Sequence, residues 1–102
     1  MKCRKVILEI AKIEINENVL WYNSKSKGLG KEFSIEIRKT LNYIADFPLA
    51  FPVKYEEIRV AVVAVFPYTV HYYYDHINNT VFVSCVFHDF NNPEIPLQRN
   101  LF

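Results

Sequence analysis

"FPYTVHYYYDHINNTVFVSCVFHDF", residues 66–90, decides how this chain folds. From Tyr68 to Asp75 and from Thr80 to His88, aromatic and β-branched residues alternate with polar ones, the period of two of a half-buried strand. Between them, Asn78-Asn79 suits a two-residue turn, because asparagine tolerates positive φ. The spacing predicts a β-hairpin in which Ile77 opposes Thr80, Tyr73 opposes Ser84, His71 opposes Val86 and Thr69 opposes His88. Side chains alternate along each strand. One face should therefore carry Thr69, His71, Tyr73, Asp75, Ser84, Val86 and His88. The other should carry Val70, Tyr72, Tyr74, Val83, Cys85 and Phe87. The second face is apolar and is expected to be core. The first is polar and aromatic, and is the candidate working surface.

Upstream, the period of two continues from about Glu57 to Val63, with Pro67 limiting the start of the next strand. "KVILEI", residues 5–10, reads as an opening strand. Two helical patterns follow. In the first, Ala11, Ile15, Val19 and Tyr22 make the apolar stripe, with Ile13 and Leu20 widening it. In the second, Phe33, Ile37, Leu41 and Ile44 do so, and Pro48 ends the helix because the residue before a proline avoids the α region. "SKSKGLG", residues 24–30, holds both glycines of the chain and is expected to join the helices as an antiparallel hairpin. "NNPEIPLQRNLF", residues 91–102, has two prolines and little periodicity. The expectation is a single α+β domain over residues 1–102: an N-terminal strand, a helical hairpin, a three-stranded antiparallel meander with the helices on one face, and an irregular tail over residues 89–102.

Composition narrows the function classes. In 102 residues, 51% are hydrophobic and 23% are charged, which is ordinary for a globular domain. Twelve Lys plus Arg against eleven Asp plus Glu leave a net charge of +1, too balanced for tight non-specific nucleic-acid binding. The two cysteines, Cys3 and Cys85, are far apart and read as reduced thiols. The longest apolar run is "VAVVAVF", residues 60–66, far short of the ~20 residues of a membrane helix. "MKCRKVILEI" has no small-residue cleavage site. A cytoplasmic protein without membrane partner, cofactor or metal is expected.

Several stretches together resemble the RelE/ParE toxins of type II toxin–antitoxin systems. Ala11, Glu14, Trp21 and Tyr22 are similar to the family's first helix. "GLGKEF" (Gly28 to Phe33) and Phe47-Pro48 are similar to the start and end of its second. Ile58-Arg59, then "FPYTVHY" (Phe66 to Tyr72), resemble the middle strands, and "VFHDFNNPEIPLQR" (Val86 to Arg99) the last strand and tail. The resemblance implies an antiparallel sheet backed by two helices, and a toxin neutralised by a cognate antitoxin. It also implies one of two targets: messenger RNA on the ribosome for RelE-like members, DNA gyrase for ParE-like ones. RelE-like cleavage relies on basic residues on the third strand and just after the last. Thr69 stands at the first position here, and Asp89, Phe90 and Asn91 at the second. This points to the ParE-like branch, known also for plasmid stabilisation. The rivals are a RelE-like endoribonuclease and an inactive module that only binds antitoxin.

The residues expected to contact target or antitoxin are Arg59, His71, Tyr73, His88 and Arg99; the catalytic set, if there is one, is unknown. Arg59 lies at the family's second strand, and a salt bridge to Glu56 or Glu57 is the plainer role for it. His71 and His88 share the polar face in the expected register and suit acid–base work or target contact. Tyr73 faces out and could stack on a partner. A zinc site of His71, His88 and Asp75 would span too far along the strands. His76, beside the turn, is expected to be merely solvated.

Overall fold

The structure, a computed structural model, describes residues 2–88. The expected tail over 89–102, with Arg99, lies outside the described residues. The elements are β1 (Arg4–Ile7), α1 (Glu9–Lys25), α2 (Leu29–Asp46), β2 (Val53–Tyr55), β3 (Ile58–Val62), β4 (Tyr68–Asp75) and β5 (Thr80–His88). They form one five-stranded sheet of order β1-β5-β4-β3-β2, backed by the two helices. The α+β class is as expected, and outside the β4–β5 hairpin the strands differ from expectation in three ways.

First, β1 ends at Ile7 and α1 begins at Glu9, earlier than the sequence pattern placed the change. Second, β1 runs parallel to β5, Arg4 opposite Thr80 and Ile7 opposite Val83, so the sheet is mixed rather than purely antiparallel. The extra strand β2 is the reason: β2, β3, β4 and β5 alternate in direction, so the fourth strand after the helical hairpin runs the same way as β1. Third, β2 precedes the meander as an additional strand, paired antiparallel with β3. Its turn is Glu56-Glu57, both with positive φ (42° and 67°). A turn of this kind normally announces itself by Asn-Gly; two glutamates in the left-handed region leave no such sign.

The helices follow their stripes. Phe33, Ile37, Leu41 and Ile44 of α2 are buried, as is Ala11 of α1, while Ile15, Val19 and Tyr22 pack against the same core. Ile13 and Leu20 do not widen the stripe; both are exposed. The hairpin closes at Gly28 (φ 87°) and Gly30. A Cβ on Gly30 would collide with the Val19 carbonyl oxygen and lie 2.6 Å from the Asn23 side chain, so only glycine lets α2 start this close to α1.

The β4–β5 hairpin carries the correction that matters most for function. Its turn is four residues long, with Asp75 opposite Thr80. The Asp75 carboxylate accepts the backbone N–H groups of Ile77 (3.1 Å) and Asn78 (3.2 Å) and the Asn78 amide (2.7 Å). These bonds hold its pKa below the usual carboxylate value. Asn79 alone takes positive φ, at 50°. Near the turn Tyr73 pairs with Phe82 and Tyr72 with Val83, but further on His71 pairs with Cys85 and Thr69 with Phe87. Ser84 is the extra residue of a β-bulge between these pairs. A bulge inserts one residue and so reverses the phase of everything after it. Val86 and His88 therefore cross to the helix side, while Cys85 and Phe87 join His71 on the other.

Candidate functional site

The expected polar face is not a continuous wet surface. His71 is 1% exposed and sits in a knot of buried groups. Its Nδ1 lies 2.8 Å from the Tyr55 hydroxyl and its Nε2 3.0 Å from the Thr69 hydroxyl. Phe87 meets the ring edge-on at 5.0 Å. Ser84 donates to the His71 carbonyl oxygen at 3.2 Å, closing the bulge. A neutral imidazole offers one donor and one acceptor. Tyr55, the stronger hydroxyl acid, is placed to donate to Nδ1, which leaves Nε2–H to donate to Thr69. Burial lowers the His71 pKa from 6.5 to about 4. Burial, then the neighbouring Cys85 and Glu56, pushes the Tyr55 phenol up to about 12. At neutral pH the knot is uncharged and saturated, and it ties β2 to β4. His71 braces the sheet and does not present a surface.

Arg59 is also a brace. It pairs across the sheet with Tyr72 and so points to the helix side. Its Nη1 donates to the Phe51 carbonyl oxygen at 2.6 Å, and Tyr72 donates to the Pro48 carbonyl oxygen at 2.8 Å. Together they hold the loop between α2 and β2. The partner shown for Arg59 is this backbone carbonyl.

Tyr73 alone of the expected set faces outward in the way foreseen. It lines an open cleft of about 470 Å³ with Leu49, Val53, Glu57, Arg59, Tyr74 and His76. His76 is exposed. The cleft forms beyond the start of β3, where β4 runs on past Tyr72 without a β3 partner.

His88 lies on the opposite side of the sheet. Its ring meets Tyr68 edge-on at 5.0 Å, and with Glu17, Asn18 and Trp21 of α1 it lines a groove of about 360 Å³. Tyr68 donates to Asn18 Oδ1 at 2.6 Å, and burial followed by the Tyr22 hydroxyl pushes its pKa well up. The structure thus separates His71 from His88, gathers Arg59 and Tyr73 at one cleft, and places Arg99 outside the described residues. No cluster of three His, Cys, Asp or Glu among the described residues could hold a metal ion. Cys3 and Cys85 are both buried and not joined in a disulfide. No described helix is long and apolar enough to cross a membrane.

Sequence reasoning overlooked two residues that shape these sites. Tyr55 carried no signal, because its strand was not foreseen. Glu14 entered only as part of a family pattern, although a carboxylate between Ala11 and Ile15 on the core side of α1 is itself a sign of a buried partner. That partner is the Val86 N–H, which donates to Glu14 Oε1 at 2.8 Å. At that point β1 has ended and the β5 edge lacks a strand, so Glu14 stands in for one. Glu14→Ala leaves this N–H buried and unpaired and should lower stability by about 2 kcal/mol. Glu14→Gln, which keeps an acceptor, should lose less than half of that in urea denaturation. Equal losses in the two variants would refute the capping role.

With the geometry in place, the chain can be compared with known proteins. No family model matches the sequence, and no curated protein is significantly similar to it. Solved structures do match. One is a chain of the chromosomal ParDE toxin–antitoxin system from P. aeruginosa, with TM-score 0.74 over 85% of this chain and 96% of that one, at 6% identity.

The fold is that of the RelE/ParE toxins.

A chain of the RelBE2 toxin–antitoxin complex from Mycobacterium tuberculosis also matches, with TM-score 0.62, covering 86% of this chain and 92% of that one at 13% identity. At such identities the likeness is one of fold. The α+β class and the helical hairpin agree with what the sequence resemblance implied, while β2 and the parallel pairing of β1 differ from it.

Proposed function

We propose that this protein is the toxin of a type II toxin–antitoxin system, of the ParE-like kind, arresting bacterial growth through a target such as DNA gyrase and neutralised by a cognate antitoxin. The observation that carries the reading is the match over nearly the whole of both chains to a component of a ParDE system, which exceeds the match to RelBE2. The chemistry of the described residues supports the same branch. RNA cleavage requires a proton acceptor for a ribose 2′-OH and cations around the phosphate. His71 is buried and doubly bonded, Thr69 is its partner, and one guanidinium nitrogen of Arg59 is spent on a backbone carbonyl.

Inducing the protein alone should arrest growth, and the purified protein should inhibit gyrase supercoiling and leave cleaved DNA. Tyr73→Ala, at the exposed wall of the cleft, should weaken both effects without loss of stability. Cleavage of messenger RNA on translating ribosomes, with gyrase unaffected, would transfer the protein to the RelE-like branch. Normal growth with well-expressed, folded protein would leave the antitoxin-binding module as its role.

A further inference from the structure

Among the described residues β1 lies at the edge of the sheet, so no further strand closes the crevice between it and the helices. Two bonds tie β1 and the residue before it to α2: the Cys3 N–H donates to the Ala45 carbonyl oxygen at 2.9 Å, and Lys5 Nζ donates to Asn42 Oδ1 at 2.6 Å. Beside these bonds the crevice holds an open pocket of about 360 Å³. Its floor is aliphatic and made by Ile7, Ile15, Ile37 and Leu41. Ile37 and Leu41 are 2% and 7% exposed and belong to the core, and Ile7 and Ile15 pack against it. Ser34, Arg38 and Asn42 follow at a spacing of four along one side of α2, which sets a polar row beside that floor. Lys5 and Arg38, the two cations lining the pocket, are both exposed. The ion pairs among the described residues are Lys2–Asp46 and Lys39–Glu36, and no described acid lines the pocket. Two cations therefore stand at one apolar pocket without an anion between them.

We propose that this pocket binds a small amphiphilic anion: a carboxylate on a short unbranched hydrocarbon chain, the class of the medium-chain fatty acids. The carboxylate accepts from Arg38, whose planar fork matches its two oxygens, and from Lys5, whose ammonium has three donors and gives one to Asn42. The chain lies along Ile7, Ile15, Ile37 and Leu41. Charge and shape select this occupant. Lys5 and Arg38 repel each other until an anion separates them. No aromatic ring lines the pocket among the described residues, so nothing there favours a flat ligand over an aliphatic one. The volume is at the small end of ligand sites, which suits a short chain. A neutral alcohol of the same length gains the floor but not the cations, and an amine meets like charge. The pocket shares no residue with the cleft at Tyr73, so the proposal stands apart from the toxin reading.

The test titrates the full chain with octanoate, kept below its micelle concentration, and follows the backbone amides by NMR. Binding should be saturable, with the largest shifts in residues 5–7 and 34–42. Each buried methylene is worth roughly three- to fourfold in affinity, so octanoate should bind at least about tenfold tighter than butanoate. Octanol should bind roughly tenfold more weakly than octanoate, and octylamine should not bind. Arg38→Gln, a change at an exposed position, should weaken octanoate roughly tenfold and leave octanol unchanged. Lys39→Gln, on α2 but outside the lining of the pocket, should leave both unchanged. Circular dichroism of each variant checks that it is folded. No saturable shift, shifts spread over every exposed apolar patch, equal affinity for octanoate and octanol, or an Arg38→Gln loss of the same size for both would each overturn the proposal. So would a peptide with glutamate among leucines that displaces octanoate from the same amides at lower concentration, which would give the pocket to a protein partner. None of these readouts depends on growth arrest, so the proposal and the toxin reading can fail separately.

Discussion

Phe33→Ala is expected to lower the unfolding free energy by about 3–5 kcal/mol. Phe33 is fully buried at the centre of an aromatic cluster. Tyr22 stacks on it at 5.3 Å, while Phe66 and Tyr68 meet it edge-on at 5.3 Å and 4.9 Å. These partners come from α1, from the loop before β4 and from β4 itself, so one ring joins both helices to the sheet. Removing it costs the transfer free energy of the ring, the aromatic contacts and a cavity whose walls belong to three elements and cannot all close in. A domain of this size has only about 5–15 kcal/mol in total. The melting temperature should fall by roughly 15–30 °C, since each kcal/mol moves it by about 4–8 °C. Phe33→Leu, which refills most of the space, should lose far less. A loss below about 1 kcal/mol for Phe33→Ala would mean that the helical hairpin is held elsewhere.

Acid is expected to weaken the protein well before its carboxylates titrate. His71 has its pKa lowered from 6.5 to about 4 by burial. The folded state therefore resists a proton that the unfolded chain accepts. The stability is fully present above pH ~6.5, the unfolded value, and falls as pH drops towards the folded value, because the unfolded state binds more protons across that window. The whole window amounts to about 3 kcal/mol, at up to ~1.4 kcal/mol per pH unit. Tyr55, whose phenol is pushed up to about 12 mainly by burial, stays neutral throughout that range. Urea unfolding of the parent at pH 6.5 and 5 should differ by about 2 kcal/mol. His71→Asn should be less stable at neutral pH, having lost the fit to Tyr55 and Thr69, yet its stability should depend less on pH over that interval. A parent whose stability is flat from pH 6.5 to 5 would sink the buried neutral brace.

The same residue shows where sequence reading stopped. Each strand of the hairpin was found at its correct bounds, because alternation over eight or nine residues is a strong signal. Pairing between strands was not, because nothing in "VFVSCVF" marks Ser84 as the extra residue of a bulge. Strict alternation along a regular strand is the only ground for assigning side chains to faces. A bulge breaks that ground, and so His88 and Val86 went to the helix side while Cys85 and Phe87 left it. Tyr55 stayed hidden for a related reason: a left-handed turn made by two glutamates has no local signature.

By itself the sequence determined the α+β class, the two helices with their buried stripes, the three-stranded meander and the resemblance to RelE/ParE toxins. The class, the helices and the meander follow from short-range periodicity and from proline and glycine, which act on the backbone wherever they occur. Only the tertiary structure decided the parallel pairing of β1 with β5, the bulge, the burial of His71, the turning inward of Arg59 to the Phe51 carbonyl and the exposure of Ile13 and Leu20 on α1. Each of these depends on which distant groups arrive together in space. A side chain's role as brace or surface is set by what covers it, and cover is a property of the folded chain.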